Sequence, residues 1–278
     1  MRTVAGKLVV ITGAGSGIGR ALALNLAGRG ARLALSDLDP AGLAETVGLL
    51  PFGARQDVLD VRDRAAMAGY AASVAEQFSR VDVVINNAGV ALTGSVLDLD
   101  YADMEWVLDV DFWGVVHGSK EFLPYLIASG DGILVNLSSL FGLLAVPGQS
   151  AYNAAKFAVR GFTESLRQEM LLHRLPVQVC CVHPGGIKTA IARNARAAAG
   201  ADQAALADFF DSHLARTSAD RAAELIVTGM LAGRPKIVVG ADARLLDLLV
   251  RLLGARYQTL VTAATRRRVP QRLGTGQR

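Results

Sequence analysis

Short β-branched apolar runs alternate along the chain with longer stretches that are rich in alanine and leucine. Residues 9–11 (VVI) and 83–85 (VVI) are apolar without polar alternation, as expected for parallel strands that helices cover on both faces. The predicted strands are 7–12, 31–36, 53–57, 81–86, 132–138, 177–183 and 236–240. This alternation predicts an α/β fold with one doubly wound, mostly parallel, seven-stranded sheet and helices on both of its faces.

The stretches between these strands have helical spacing. Helices are predicted at about 17–29, 40–49, 63–79, 100–128, 151–174, 202–213 and 218–232. Because no proline- or serine-rich linker separates two halves, we expect one domain over residues 1–241 and an extension over residues 242–278 that is not a separate domain. Residues 190–215 are the least regular and are expected to form a flexible cover over the site.

Composition and charge narrow the class of protein. A hydrophobic content of 51% argues against a disordered chain. The net charge of +4 does not indicate a nucleic-acid partner, because five of the 29 basic residues lie in the acid-free segment 264–278 and the rest of the chain is close to neutral. The first apolar run leads into glycines rather than a cleavage site, so no signal peptide is predicted and a cytoplasmic location is expected.

The segment from Asp242 to Thr262 is predicted to form one amphipathic helix, followed by a basic tail, and its apolar face is much wider than its polar stripe. A helical face of this width needs a cover. Two covers stay open: a second subunit, or a membrane surface to which the following Arg266–Arg268 would add electrostatic attraction.

A glycine-rich turn follows the first strand and opens a helix. It reads Thr12-Gly13-Ala14-Gly15-Ser16-Gly17-Ile18-Gly19. Glycines allow the backbone to turn tightly and to approach a pyrophosphate, whose charge is held by amide groups at the helix N-terminus. In the context of alternating strands and helices, this turn predicts a Rossmann-type, dinucleotide-binding fold.

Asp37 ends the second predicted strand, 18 residues after Gly19. A carboxylate there can accept hydrogen bonds from both hydroxyls of an adenosine ribose, whereas the phosphate of NADP would meet like charge. The position therefore favours NAD, with NADP the less favoured cofactor. The alternative is that Asp37 only caps a turn with Asp39 and Pro40.

Tyr152 and Lys156 stand four residues apart in a predicted helix, so their side chains share one face. A nearby ammonium favours the phenolate and would lower the pKa of the tyrosine, which suits the pair to acid/base chemistry. Ser139 lies at the end of a predicted strand, where its hydroxyl could hold a substrate oxygen. Ser138 competes for that role.

Together these motifs resemble the short-chain dehydrogenase/reductase family, in its single-domain branch. The resemblance covers residues 7–240 in the family's order. The matching segments are the glycine turn, Asp37, Asp57-Val58, Asn86-Asn87-Ala88-Gly89, Ser139 with Tyr152-x-x-x-Lys156, and Pro184-Gly185-Gly186-Ile187-Lys188-Thr189.

The resemblance implies a role for each matching residue. Tyr152 would be the catalytic acid/base, Lys156 would lower its pKa and hold the nicotinamide ribose, and Ser139 would orient the substrate oxygen. The cofactor would be bound by Gly13, Ser16, Gly17, Ile18 and Gly19 in the turn, by Asp37, by Asp57 and Val58 beside adenine, by Asn87, Ala88 and Gly89, by Tyr152 and Lys156, by Pro184 and Gly185, and by Ile187 and Thr189 at the carboxamide.

One position departs from the family's pattern. Asp111 stands where the family commonly has an asparagine that is thought to anchor a water in the proton relay to the lysine. An amide both donates and accepts, whereas a carboxylate only accepts and would add negative charge near Lys156. We expect the relay to survive with a shifted pH optimum.

The expected substrate is a hydrophobic secondary alcohol or its ketone, because apolar residues surround the serine and tyrosine and no arginine cluster faces them. Those residues are Phe141, Leu143, Leu144, Ala145, Val146, Phe209 and Phe210. The histidines His117, His173 and His183 lack partners at ligand spacing, so no metal is expected.

Two other functions stay open: an NADPH-dependent ketoacyl reductase, against which Asp37 argues, and a non-catalytic dinucleotide-binding sensor or scaffold. The resemblance also implies a homodimer or homotetramer that packs through the helices at 100–128 and 151–174.

Overall fold

The structure is a computed structural model that describes residues 3–198, 202–210, 212 and 215–268, without the side chains of residues 206, 207, 209, 267 and 268. Its main strands are β1 (Leu8–Thr12), β2 (Arg32–Asp37), β3 (Arg55–Val58), β4 (Val83–Asn86), β6 (Gly132–Leu137), β7 (Val177–Pro184) and β11 (Lys236–Val239). They form one parallel sheet in the order β11-β7-β6-β4-β1-β2-β3. The predicted seven-stranded α/β fold is confirmed.

Helices cover both faces of this sheet, and each face has its own buried apolar cluster. One cluster joins the sheet to α1 (Gly17–Gly28), α2 (Pro40–Gly48) and α8 (Ala219–Leu231). The other joins it to α3 (Arg64–Phe78), α5 (Gly114–Ala128) and α6 (Ser150–Leu172). Strands buried on both sides explain why their sequences are apolar without alternation.

The strand order indicates a ligand crevice at the carboxyl ends of the central strands. From β1 the chain moves outward to β2 and β3, and then returns to β4 on the other side of β1. At such a reversal the loops after neighbouring strands diverge, which opens a ligand crevice at the carboxyl ends of β1 and β4.

The predicted helix over residues 100–128 is interrupted. It consists of α4 (Tyr101–Leu108), a π-helical turn (Asp109–Trp113) and α5. The side chain of Asp111, in the middle of this wider turn, is completely buried. Gly114, the first residue of α5, lies close to Val61: a Cβ on Gly114 would be 2.7 Å from the Val61 Cγ2. Hydrophobic spacing does not reveal such a turn.

Part of the predicted cover segment, residues 190–215, is more regular than expected. Within this segment, strand β9 (Arg196–Ala197) pairs with β5 (Leu92–Thr93). On either side of it, β8 (Ile187–Lys188) pairs with β10 (Thr217–Ser218). A short helix α7 (Gln203–Phe209) follows β9. Phe210 is half-buried, whereas the side chain of Phe209 lies outside the described residues.

The C-terminal extension forms two helices rather than the single one predicted. These are α9 (Ala241–Leu253) and α10 (Tyr257–Arg268), separated at Gly254, whose φ of +54° lies in the left-handed region that ends a helix. No helix in the described part of the chain is long and apolar enough to cross a membrane. The division of the chain at residue 241 stays a prediction, and Arg272 and Arg278 lie outside the described residues.

Candidate active site

The carboxyl ends of four adjacent strands bring the candidate residues together. The glycine turn follows β1, Asn87 follows β4, Ser139 follows the end of β6, and Pro184 ends β7. Segments that lie far apart in the sequence therefore share the crevice at the reversal of strand order.

The glycine turn is built without side chains where the backbone packs most closely. A Cβ on Gly13 would lie 2.6 Å from the Cα of Ala88, and one on Gly19 would lie 2.0 Å from the carbonyl oxygen of Gly13. Gly17 has a φ of +52°. Ser16 precedes the helix and is exposed, and its side chain makes no capping bond. This cradle fits the pyrophosphate of a dinucleotide.

Asn87 and Thr12 lock the glycine turn to the neighbouring strand. The Asn87 amide donates to the carbonyl oxygens of Thr12 and Gly13 at 3.0 and 2.9 Å. The Thr12 hydroxyl oxygen accepts from the backbone N–H of Asn87 and of Ala88, at 3.1 and 3.2 Å. Asn87 therefore shapes the turn, a contact that the sequence alone does not show.

Two further side chains hold the outer side of the turn. Arg20 donates to the carbonyl oxygen of Gly15 and pairs with Glu45 at 2.8 Å. Thr46, which is fully buried, donates to the carbonyl oxygen of Ala14 at 2.9 Å. Neither Arg20 nor Thr46 belongs to a motif, so neither was predicted as a site residue, although Arg20 lies directly after the glycine turn.

Asp37 ends β2 with a half-buried carboxylate that faces the glycine turn. One oxygen accepts from the N–H of Gly15 at 2.7 Å and the other from the N–H of Asp39 at 3.0 Å. The Asp39 carboxylate, rather than that of Asp37, caps α2 by accepting from Ala41. Since each carboxylate oxygen accepts more than one hydrogen bond, Asp37 retains capacity for ribose hydroxyls.

Beyond Asp37, two exposed apolar side chains flank the crevice at the ends of neighbouring strands. Val58 ends β3 and Leu38 follows β2, with 63% and 61% of their surfaces exposed. The adjacent Asp57 is held by Arg55 through two hydrogen bonds of 2.8 and 2.9 Å. The two apolar side chains suit a flat aromatic base, and Leu38 was not among the predicted site residues.

Tyr152 and Lys156 lie on the buried face of α6, as their spacing predicts. The Lys156 Nζ lies 5.6 Å from the centroid of the Tyr152 ring. Ser138 donates its hydroxyl to the carbonyl oxygen of Lys156 at 2.8 Å, which ties it to the backbone. Ser139 is half-buried, and its hydroxyl oxygen accepts from Phe141 N–H at 3.1 Å. Ser138 is therefore committed to the backbone, whereas Ser139 lies within hydrogen-bonding reach of Tyr152.

Asp111 forms a buried ion pair with Lys156. Its Oδ2 lies 3.2 Å from the Lys156 Nζ, and the two side chains are 0% and 6% exposed. Its Oδ1 accepts from the N–H of Val90 at 2.7 Å. A Cβ on Gly89 would lie 3.2 Å from Asp111 Oδ1 and 3.3 Å from Lys156 Nζ, so the absence of a side chain there leaves the pair room.

Burial dominates the electrostatics of these groups. It raises the pKa of Asp111 despite the opposing charge of Lys156. Burial also raises the pKa of Tyr152; Lys156 and Ser139 act to lower it, as expected, but do not offset burial, and Asp111 adds to the rise. For Lys156, burial acts to lower the pKa, but Asp111 and Tyr152 outweigh it, so its pKa is raised and the ammonium form persists.

A buried polar network supports the site from behind. The Asn136 side chain accepts from the Asn86 amide at 2.8 Å and donates to Thr163 at 3.0 Å, which joins β4, β6 and α6. Ser119 of α5 also accepts from the Asn86 amide, at 3.1 Å. An asparagine inside an apolar strand indicates such a network, because a buried amide needs hydrogen-bond partners. Asn136 was nevertheless not among the predicted site residues.

The loop after β7 approaches the glycine turn. A Cβ on Gly17 would lie 3.1 Å from the Thr189 side chain, and Ile187 is buried. On its other side, the N–H of Gly186 donates to Asp242 of α9 at 3.0 Å. The cofactor-side loop is thus held from the C-terminal extension.

The space beside Tyr152 is apolar. Its buried cluster consists of Leu92, Leu99, Val107, Ala151, Tyr152 and Ala198. Phe141 packs edge-on against the Tyr152 ring, with centroids 6.1 Å apart. Leu144 contacts the C-terminal extension instead, so the wall expected from the sequence is only partly available to a substrate.

Two of the three histidines considered as metal ligands, His183 and His117, make contacts within the fold. His183 is fully buried, with Nδ1 3.1 Å from the carbonyl oxygen of Ser139, and burial lowers its pKa to about 4. His117 lies 3.0 Å from the carbonyl oxygen of Val61 and stacks on Trp113. In the described residues, no three His, Cys, Asp or Glu side chains are grouped to hold a metal ion.

Known proteins are similar to this chain in sequence and in fold. A family model described as short chain dehydrogenase matches residues 7–200. An oxidoreductase named SadH from Mycobacterium tuberculosis is 57% identical over 273 residues, which cover 97% of this chain and 99% of that protein. Oxidoreductase UcpA of Escherichia coli is 36% identical over 197 residues, which cover 70% of this chain and 74% of that protein.

Two solved structures extend the comparison. A short chain dehydrogenase/reductase from Burkholderia phymatum, in complex with NAD, has a TM-score of 0.86 at 29% identity, covering 93% of this chain and 97% of that one. Levodione reductase has a TM-score of 0.77 at 28% identity, covering 87% and 98%.

Proposed function

Because the chain belongs to the short-chain dehydrogenase/reductase family of oxidoreductases, we propose that it interconverts a hydrophobic secondary alcohol and its ketone, with NAD as cofactor. The observation that carries this proposal is the meeting of Tyr152, Lys156 and Ser139 beside the glycine turn, at the crevice where the strand order reverses. That arrangement places an acid/base next to a dinucleotide cradle.

The cofactor supplies a carbon centre that accepts or gives a hydride when it is bound. The chain's own residues handle the proton. In alcohol oxidation the Tyr152 oxygen takes the hydroxyl proton as the C–H bond gives up its hydride, and in ketone reduction the Tyr152 hydroxyl returns that proton. Ser139 donates a hydrogen bond to the substrate oxygen and thereby orients it.

Lys156 stabilises the phenolate form of Tyr152 through its charge, and Asp111 keeps Lys156 protonated. The ion pair also fixes the Lys156 ammonium beneath the tyrosine ring. Burial excludes water from this pair, so its charges act more strongly on the proton transfer than they would in solvent.

The substrate class follows from the surroundings of Tyr152. The neighbouring side chains are apolar. Arg196 of the cover segment is paired with Asp103 at 2.9 Å and lies 3.8 Å from the centroid of the Trp106 ring, so it is not free to pair with a charged metabolite. An apolar secondary alcohol fits better.

We expect the protein to bind NADH about a hundredfold more tightly than NADPH, because Asp37 would repel the additional phosphate. Replacing Asp37 with serine should reduce this ratio to within about tenfold by weakening NADH and relieving NADPH. The measurement is fluorescence titration with each cofactor. The matched control is Glu76→Gln, which removes the charge of an exposed carboxylate on α3 and should leave the ratio of the two affinities unchanged.

The same titration addresses the ketoacyl reductase alternative. Tighter binding of NADPH than of NADH by the unaltered protein would favour that enzyme and contradict the assignment of Asp37. The sensor alternative predicts cofactor binding without turnover of any alcohol or ketone.

For assembly, we propose a homodimer or homotetramer that packs through α5 and α6. Apolar side chains from these two helices line a shallow surface groove, namely Val116, Leu123, Ile127, Phe162 and Leu166. Such a surface suits a subunit contact.

We propose a different partner for α9, an anionic lipid surface. Leu245, Leu248 and Leu252 form one row along the helix and are 68%, 54% and 76% exposed. Arg244 and Arg251 are exposed beside the row, and Arg251 stays 61% exposed although it pairs with Asp247 at 3.1 Å. Anionic headgroups complement exposed arginines that flank an apolar row. A cytoplasmic location stays a prediction.

Serine substitution of Leu245, Leu248 and Leu252 together is expected to lower co-sedimentation with phosphatidylglycerol vesicles about tenfold or more, because it removes the apolar contact. Leu171→Ser with Leu172→Ser, at the exposed end of α6, is the control and should not reduce binding. Loss of the oligomer in light scattering by the α9 variant would identify a subunit interface instead.

A further inference from the structure

Tyr257, the first residue of α10, reaches from the C-terminal extension to the catalytic region. Its ring is 8% exposed, and its hydroxyl oxygen accepts from the N–H of Ala145 at 2.9 Å. Ala145 lies 112 residues away in the loop 140–146, which follows Ser139 and precedes α6. The loop is therefore bonded directly to the C-terminal extension.

The opposite side of the same loop is bonded to the catalytic helix. The Asn153 amide, one residue after Tyr152, donates to the carbonyl oxygens of Phe141 and Leu144 at 2.7 and 3.0 Å. Asn153 Oδ1 accepts from the N–H of Val146 at 3.2 Å. The loop is thus held between α6 on one side and the C-terminal extension on the other.

Packing reinforces the hydrogen bond from Tyr257. Leu140 and Leu144 of the loop form a buried cluster with Ala243 and Tyr257 of the extension. Asp242 holds the second loop of the site through its bond to Gly186, and Gly185 has no side chain where a Cβ would lie 2.4 Å from that carboxylate. Both loops that border the crevice on this side are tied to α9 and α10.

We propose that Tyr257 is a positioning residue for substrate binding, because its hydroxyl fixes the loop that begins at Ser139 and presents Phe141 to the Tyr152 ring. This inference rests on the proposed function. It gives the extension a role in the fit of the substrate, in addition to whatever its outer face contacts. The hydroxyl bonds to the loop that follows Ser139 and not to the glycine turn, so its loss should alter substrate binding and leave cofactor binding intact.

The test is Tyr257→Phe in the full chain, which removes one oxygen and leaves the apolar ring in place. The N–H of Ala145 then loses its acceptor, which weakens the attachment of the loop to the extension while the bonds from Asn153 remain. We expect KM for a hydrophobic secondary alcohol to rise about tenfold, with kcat and the NADH dissociation constant within about twofold of the unaltered protein. Tyr101→Phe, at a tyrosine that is 83% exposed, is the matched control.

Hydrogen exchange provides a readout that does not require turnover. The amides of residues 143–146 should exchange at least about fivefold faster in Tyr257→Phe, while those of β1 and β4 stay unchanged. Unchanged exchange in the loop, or a fall in kcat at constant KM, would overturn the positioning role. If the unaltered protein turns over no alcohol or ketone, the proposed function fails, and the exchange result alone then decides whether Tyr257 holds the loop.

Discussion

Tyr152→Phe is expected to lower kcat for alcohol oxidation by about 10²–10⁴-fold, the range that a positioned acid/base contributes. The phenyl ring preserves the edge-on contact with Phe141 but has no oxygen to take the substrate's proton. The dissociation constant for NADH should stay within about twofold, since the glycine turn and Asp37 are unaltered. Initial rates and a fluorescence titration measure the two quantities.

Tyr101→Phe, on the exposed start of α4, controls for the loss of a phenolic hydroxyl as such and should retain full activity. A Tyr152→Phe protein with at least a third of the normal kcat would remove the tyrosine from the chemistry. Loss of NADH binding in that variant would instead indicate damage to the cradle.

Asp111→Ala is expected to cost about 3–5 kcal/mol in the free energy of unfolding, because it leaves the buried ammonium of Lys156 without the carboxylate that pairs with its charge. It also removes the acceptor for the N–H of Val90. Urea denaturation monitored by circular dichroism measures the change. Asp103→Ala, which breaks the more exposed pair with Arg196, is the matched control and should cost about 1 kcal/mol or less.

A loss in Asp111→Ala no larger than that in Asp103→Ala would contradict a structural ion pair at Lys156. The comparison uses two aspartates of the same interrupted helical stretch, one at 0% and one at 25% side-chain exposure. The difference between them therefore reports the effect of burial.

Asp111→Asn separates charge from shape and tests the departure from the family's pattern. The Asp111 charge raises the pKa of Tyr152, so its removal should lower that pKa as long as Lys156 stays protonated. Alcohol oxidation needs the deprotonated tyrosine and rises with pH through this pKa. The ascending limb of the kcat profile should therefore move to lower pH, and an unchanged profile would show that Asp111 exerts no electrostatic influence on the reaction.

The local geometry that the sequence predicted depends on short spacings. Tyr152 and Lys156 share a helical face because they stand four residues apart, and the glycine turn follows β1 without an intervening segment. Strand positions were predictable for a similar reason, since apolar runs buried on both faces do not alternate.

Contacts between distant segments were not predictable from spacing. Asp111 was singled out by resemblance alone, and the π-helical turn that carries it has no hydrophobic signature. The choice between Ser138 and Ser139 required the position of the Lys156 carbonyl oxygen, which only the fold provides. The roles assigned to these residues stay predictions until the variants are measured.

The contacts of the C-terminal extension were likewise not predictable from the spacing of its residues. The sequence indicated that the apolar face of 242–262 needs a cover, but it could not reveal that part of this cover is the chain's own loop 140–146. Gly254 ends the first helix by its left-handed backbone, which places Tyr257 on that loop. The outward row of leucines is what remains for a partner.

The most direct test of the proposed function is the rate of NADH formation from NAD and a panel of hydrophobic secondary alcohols, compared between the unaltered protein and Tyr152→Phe. We expect the unaltered protein to form NADH with at least one of these alcohols and Tyr152→Phe to form none. The proposed function is wrong if the unaltered protein binds NADH but forms none from any alcohol and consumes none with any matching ketone.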